Sequence, residues 1–169
     1  GRTPAASEAV RRFLGFYGPG QPGDFAEWAG LARSHAQRLW DAVAEELAEV
    51  RVGKSKAWLL SEDVDALESP PAAEGIRLIP PGDPYLQKPN RALLAPDPAL
   101  KKRLFRPVAS PGAVLKDGRL VGLWRVKAKG KNAEITVEKL GRLARGDLEE
   151  EARRVAELRG AAGVEIAFA

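Results

Sequence analysis

Apolar residues recur at helical spacing near the start of the chain. Val10, Phe13, Leu14 and Tyr17 stand at i, i+3, i+4 and i+7, and Arg11 and Arg12 face away from that stripe. Gly18-Pro19-Gly20 and Pro22-Gly23 end the pattern. Asp24 stands three residues before Glu27, a capping-box arrangement that predicts a short helix capped by Asp24, with Phe25 and Trp28 inward. Gly30 ends that helix. A third is predicted over about 32–48, with Ala36, Leu39, Trp40, Val43 and Leu47 on one stripe. Short helix, glycine turn and longer helix have helix-turn-helix spacing. Residues 49–52 and 56–60 then read as two strands around Gly53-Lys54-Ser55, the wing of a winged helix.

Residues 61–75 read as one turn of helix followed by a Pro-rich polar boundary. Residues 76–79 read as a strand ended by Pro80-Pro81-Gly82-Asp83-Pro84, with Asp83 as a turn former. In 96–107, Lys101, Lys102, Arg103 and Arg106 interleave with Leu100, Leu104 and Phe105, an amphipathic turn with a basic outer face. Two strands flank Asp117-Gly118, the strongest short hairpin signal in the chain, which predicts a type I′ turn. The second strand runs on to Lys129, turns at Gly130-Lys131-Asn132 and returns through 134–138. Alternation puts Val126, Ala128, Ile135 and Val137 on one side and Arg125, Lys127 and Lys129 on the other. Asp147 reads as the cap of a last helix, 148–159, with Leu148, Ala152, Val155 and Leu158 inward, and 164–168 as a final strand that closes the sheet or barrel. The predicted fold is α+β. A winged helix-turn-helix domain (1–67) and a linker (68–75) precede a small antiparallel β-barrel or curled sheet with a C-terminal helix and final strand (76–169).

Composition removes several chemistries. There is no cysteine among the 169 residues, which excludes disulfides, thiolate metal sites and cysteine nucleophiles. The single histidine, His35, excludes a multi-histidine metal centre, and it is expected on a helix flank or half-buried. The acidic residues at 62, 63 and 65 lack calcium-loop spacing. Gly53-Lys54-Ser55 lacks the first glycine of a phosphate-binding loop, because position 48 is Ala48. No nucleophile–base pair is visible, so no catalytic residue, metal or cofactor is expected. No apolar run approaches the roughly 18 residues of a membrane span. Gly1-Arg2-Thr3-Pro4 opens no signal peptide, so a cytoplasmic location without membrane contact is expected. The chain holds no methionine and is expected to be a piece of a longer protein, with Gly1 as a scar.

Charge is split along the chain. Residues 1–75 carry a net −4, residues 76–145 a net +11 and residues 146–169 a net −3. A basic middle between acidic ends favours a polyanionic partner, with double-stranded DNA the expected one. Lys127, Lys129 and Lys131, with Arg125, form a basic ribbon suited to a DNA groove or backbone. Lys101, Lys102, Arg103 and Arg106 offer further phosphate contacts. In the first half Arg33, Gln37 and Arg38 stand near the start of the predicted recognition helix, and Lys54 and Lys56 at the wing tip.

Four strings carry a family resemblance: Tyr17-Gly18-Pro19 followed by 24–31, the run 77–86, Arg103-Leu104-Phe105-Arg106-Pro107, and the run 114–125. In this order they resemble the bacterial winged-helix DNA-binding superfamily that includes the interstrand-crosslink DNA glycosylases of the azinomycin-resistance type. The resemblance covers nearly all of the chain and corresponds to the family's C-terminal portion. It implies tandem winged helices followed by a β-barrel, removal of alkylated or crosslinked purines from DNA, and a catalytic Gln-x-Gln or Gln-x-Asp motif in an N-terminal winged helix. None of Gln21, Gln37 and Gln87 sits in such a motif, so no catalytic residue carries over, and the N-terminal winged-helix region is an expected partner. Within the second string Gly82 and Gln87-Lys88-Pro89-Asn90 depart from the family pattern, an aromatic before Asp-Pro and an Arg-Asp pair after Tyr-Leu. The competing expectation is a non-enzymatic winged-helix regulator or protein-interaction module, in which the lysines protect sheet edges.

Overall fold

The computed structural model describes residues 4–86 and 91–169, so the departure at 87–90 lies outside the described residues. Two compact units meet at Pro71/Ala72. In the first, α1 (Pro4–Tyr17), α2 (Pro22–Ala29) and α3 (Arg33–Asp41) precede a two-stranded antiparallel hairpin, β1 (Leu47–Val52) and β2 (Ser55–Leu60). Val10, Phe13, Leu14, Phe25, Ala36, Trp40 and Val43 are buried together. Phe13 is the hub, its ring 5.6–6.4 Å from those of Tyr17, Phe25, Trp28 and Trp40. Gly20 pairs with Trp58 in both directions, at 2.9 and 2.8 Å, and ties the α1–α2 turn to the hairpin. A short helix, α4 (Val64–Glu68), follows.

Three details of this unit depart from the sequence pattern. Helix α3 stops at Asp41, well before 48, because Leu47 already pairs with Leu60 and the hairpin takes the residues that continue the helical stripe. Asp24 is not the cap but the third residue of α2, and its carboxylate accepts from the Gln21 amide at 2.9 Å. Trp28 packs its ring on its neighbours yet remains 48% exposed.

The second unit is built on one five-stranded sheet in the order β3 (Ile76–Ile79), β4 (Gly112–Lys116), β5 (Arg119–Lys129), β6 (Asn132–Lys139) and β7 (Val164–Phe168). Asp117 and Gly118 both adopt positive φ, +50° and +75°, as a type I′ turn requires. Short helices α5 (Arg91–Leu94) and α6 (Pro98–Leu104) join β3 to β4, and α7 (Arg145–Leu158) joins β6 to β7. One sheet face packs Leu78, Val114, Trp124, Ile135 and Val137 against Leu148 and Ala152 of α7. The other face is apolar only on one side, where Ala113, Leu115 and Leu123 meet Leu86, Ala95 and Leu104.

The sheet is not a closed barrel, nor wholly antiparallel. β7 returns through α7 and pairs parallel to β6, while β3 stands at the far edge. A helical crossover is what a parallel neighbour requires. That helix packs against β3, β6 and β7. Its side chains reach both edge strands: Glu151 accepts from the Leu78 amide at 3.4 Å, and Arg145 donates to the Ile166 carbonyl. Asp147 repeats the offset of Asp24. It is the third residue of α7 and accepts from the Ala144 amide at 3.0 Å. Leu158 is 89% exposed rather than inward, and Ala156 takes the buried place, four residues after Ala152. Among the described residues no helix is long and apolar enough to cross a membrane, and no group of three or more His, Asp or Glu could hold a metal.

Candidate nucleic-acid interface

The pairing of β5 with β6 decides which side chains share a face. Val126 stands opposite Ile135 and Trp124 opposite Val137, on the helix-covered side. Arg125 stands opposite Thr136 and Lys127 opposite Glu134, on the other. Among the described residues no helix covers this second face beyond Leu123, and its polar residues are exposed or half-buried. The result is an apolar half under α5 and α6 and a polar half over β5, β6 and β7.

Acidic residues temper the cations of the polar half. Lys127 pairs with Glu134 at 2.7 Å, and Lys129 pairs with Glu134 at 3.2 Å and with Glu165 of β7 at 2.7 Å. Glu134 therefore stands between Lys127 and Lys129 of the ribbon, a pairing that an acid on the return strand opposite the lysines allows. Hydrogen bonds from Lys127 and then Lys129 hold its carboxyl below the usual carboxylate range. The same contacts, Glu165 foremost, raise Lys129 above the usual lysine range. Lys131, in the Gly130-Lys131 turn, is exposed and makes no ion pair among the described residues. Glu165 is the residue sequence reasoning missed; it lies 36 positions from Lys129 and no local pattern joins them.

The basic segment of α6 is brought to the same face. Arg103 pairs with Glu138 of β6. Arg106 and Arg125 each donate to the Ala109 carbonyl, at 3.1 and 2.8 Å. Arg103, Arg106 and Arg125 thus line one cavity of about 180 Å³, together with Thr136 and Glu138. Lys101 and Lys102 stay exposed on α6. Across this half, six cations (Arg103, Arg106, Arg125, Lys127, Lys129 and Lys131) stand against Glu134, Glu138 and Glu165.

The first-unit candidates are spread over two elements. Arg33, Gln37 and Arg38 are exposed on α3, and Gln37 is committed to Asp41 at 2.7 Å. His35 is exposed on the same helix. Lys54 is exposed in the hairpin turn, while Lys56 pairs with Glu49 at 2.9 Å. Gln21 donates its side-chain amide to the Lys56 carbonyl at 2.7 Å, a structural task. Asp83 accepts from the Tyr85 amide at 2.8 Å, the bond of an Asx turn.

The chain is similar to known proteins. A family described as DNA glycosylase AlkZ-like matches residues 2–158. An interstrand DNA cross-link repair glycosylase of Streptomyces sahachiroi is 32% identical over 136 residues, spanning 75% of this chain and 36% of that protein. The solved structure of the Streptomyces sahachiroi DNA glycosylase AlkZ matches with a TM-score of 0.81 and 27% identity, over 100% of this chain and 48% of that one. The chain therefore spans less than half the length of these relatives. The family match takes in every element described above from α1 to the end of α7, leaving β7 outside it: the chain belongs to the AlkZ-like DNA glycosylase family.

Proposed function

We propose that this chain is a DNA-holding portion of a DNA-repair, glycosylase-like protein, and that it grips the phosphate backbone of double-stranded DNA. The observation that carries the reading is the polar half of the sheet, where six cations face solvent together against three carboxylates. The lysines of the β5–β6 ribbon supply sequence-independent attraction, and Lys101 and Lys102 extend it along α6. Residues 1–67 serve as a winged-helix domain, with α2 and α3 as its helix-turn-helix and the β1–β2 hairpin as its wing. This domain orients an N-terminal winged-helix region supplied from elsewhere in the protein, which carries the chemistry of base removal. Residues 68–75 are the linker between it and the sheet domain.

The test is fluorescence anisotropy of a labelled duplex titrated with this chain across a salt series. Binding that weakens steeply with salt is the expected result; absence of binding at low salt rejects the reading. One observation favours a second reading, a protein-interaction module. Lys127 and Lys129 are already neutralised by Glu134 and Glu165, as edge-protecting lysines would be. In that case the Lys127→Ala, Lys129→Ala, Lys131→Ala triple variant binds DNA as the parent does.

A further inference from the structure

Three arginines from two distant segments converge on one cavity. Arg103 and Arg106 come from α6 and the turn after it, and Arg125 from the middle of β5. Guanidinium groups repel one another, so their convergence needs an acceptor. The Ala109 carbonyl supplies one to both Arg106 and Arg125. Ala109 takes φ +53°, the left-handed region that residues other than glycine enter at a cost. The Ser110 hydroxyl donates to the Arg106 carbonyl and closes this loop on itself. The carbonyl of this residue thus holds two guanidinium groups in place before any ligand arrives. The third, Arg103, is held by Glu138, the only acidic side chain among the described residues that line the cavity; Ala169, the last residue of the sequence, also lies on its wall.

Each guanidinium has five N–H donors, and the contacts just named use one apiece. Donors remain free, Thr136 adds a neutral hydroxyl, and three guanidinium groups outnumber the Glu138 carboxylate and the α-carboxylate of Ala169, which leaves the cavity an excess of positive charge. The ribbon lysines are point charges on flexible stems. Fixed arginine forks instead match the oxygens of a phosphate and orient it. The geometry points to a single phosphate-binding pocket formed by Arg103, Arg106 and Arg125, whose ligand is one phosphate group of a DNA strand. It rests on the DNA-backbone reading above and adds to it a fixed point of register. The phosphate is either an internal diester or a strand-terminal monoester.

The experiment uses the chain as described, with variants Arg125→Ala, Arg125→Lys, Arg106→Ala and Glu138→Gln, each checked for folding by circular dichroism. Anisotropy is measured on a hydroxyl-ended duplex and on the same duplex with 5′-phosphates, across salt. Backbone amides are followed by NMR during titration with inorganic phosphate. Arg125→Ala is expected to lose about tenfold in affinity and to flatten the salt slope by about 0.9, one phosphate contact. Arg125→Lys, which keeps the charge and the fold, is expected to keep the slope yet lose several-fold in affinity, about the share of the fork geometry. Glu138→Gln tightens binding. Phosphate shifts the amides of Ala109, Ser110 and Thr136 saturably in the parent and not in Arg106→Ala. Equal losses on both duplexes assign an internal diester; a loss confined to the phosphorylated duplex assigns a terminal monoester. If the arginine variants bind like the parent while the triple lysine variant does not, the pocket is rejected and the DNA reading stands. If the parent binds neither duplex, the DNA reading fails, and an unsaturable phosphate titration rejects the pocket with it.

Discussion

The two units solve the same problem, burial of a small core, with opposite materials. The first gathers rings: Phe13, Tyr17, Phe25, Trp28, Trp40 and Trp58 form an aromatic cluster between helices and hairpin. The second is mostly aliphatic, with Trp124 the one large ring in its sheet core. Their charges are opposed as well, acidic in the first unit and strongly basic through 76–145. Core and surface are also differently related. In the first unit the candidate contact residues lie on α3 and the β1–β2 hairpin, and two of them, Gln37 and Lys56, are internally paired. In the second a sheet half without a helix gathers cations from β5 and α6. An uncovered sheet face is a platform in a way that a helix turned into a core is not.

Core substitutions break this comparison most severely. Phe13→Ala should cost about 3–5 kcal/mol, and Ile135→Ala in the second unit about 2–5 kcal/mol, since both side chains are fully buried. Urea unfolding followed by circular dichroism measures both. Gly112→Ala comes next. A Cβ there would run into the Trp124 indole and the Ile79 carbonyl, which are joined to each other by a 2.9 Å hydrogen bond. Such overpacking costs about 1–3 kcal/mol, and thermal melting reads it.

Binding sharpens the contrast between surfaces. The Lys127→Ala, Lys129→Ala, Lys131→Ala variant should weaken duplex binding about tenfold or more and flatten its salt dependence. Substituting Arg33, Arg38 and Lys54 together should change affinity less than about threefold, because these groups are dispersed on an acidic unit. Anisotropy on one duplex compares the two. A smaller effect of opposite sign belongs to Gly146→Ala. Nothing crowds that position in α7, its φ is not positive, and the reduced freedom of the unfolded chain should stabilise by about 0.4–1 kcal/mol.

The smallest effect is acid dependence in the second unit. The Ala144 amide, then Lys116, hold the Asp147 carboxyl below the ordinary aspartate range. A carboxyl depressed by folding adds stability above its unfolded pKa and loses it as pH falls through the folded value. Asp147→Asn should therefore lower the melting temperature at neutral pH and narrow the gap from the parent as pH drops below about 4. Melting curves across pH check the sign.

Much of the architecture is legible in short stretches of chain. The stripe of Val10, Phe13, Leu14 and Tyr17 is a real helix face, and Asp117-Gly118 is a real two-residue turn, because periodicity and φ preference act over a few residues. Helix starts were displaced by three residues at both Asp24 and Asp147. An acid that accepts an amide bond from inside the first turn has the same local spacing as one that accepts from the cap.

What the sequence by itself determined is the order of the main elements other than the short helices α5 and α6, the hairpins, the charge split, the absence of thiol chemistry and the kinship with crosslink-repair glycosylases. These depend on composition and on neighbours in the chain. Only the tertiary structure decided that β7 lies parallel to β6, that the sheet stays open beneath α7, and that Glu165 of β7 reaches Lys129. It alone brought Arg103 and Arg106 to Arg125 around the Ala109 carbonyl. The physical reason is register. Which residues meet across a sheet is set by the pairing of whole strands and by the helices that cover them, and neither is written in the spacing of the residues that finally touch.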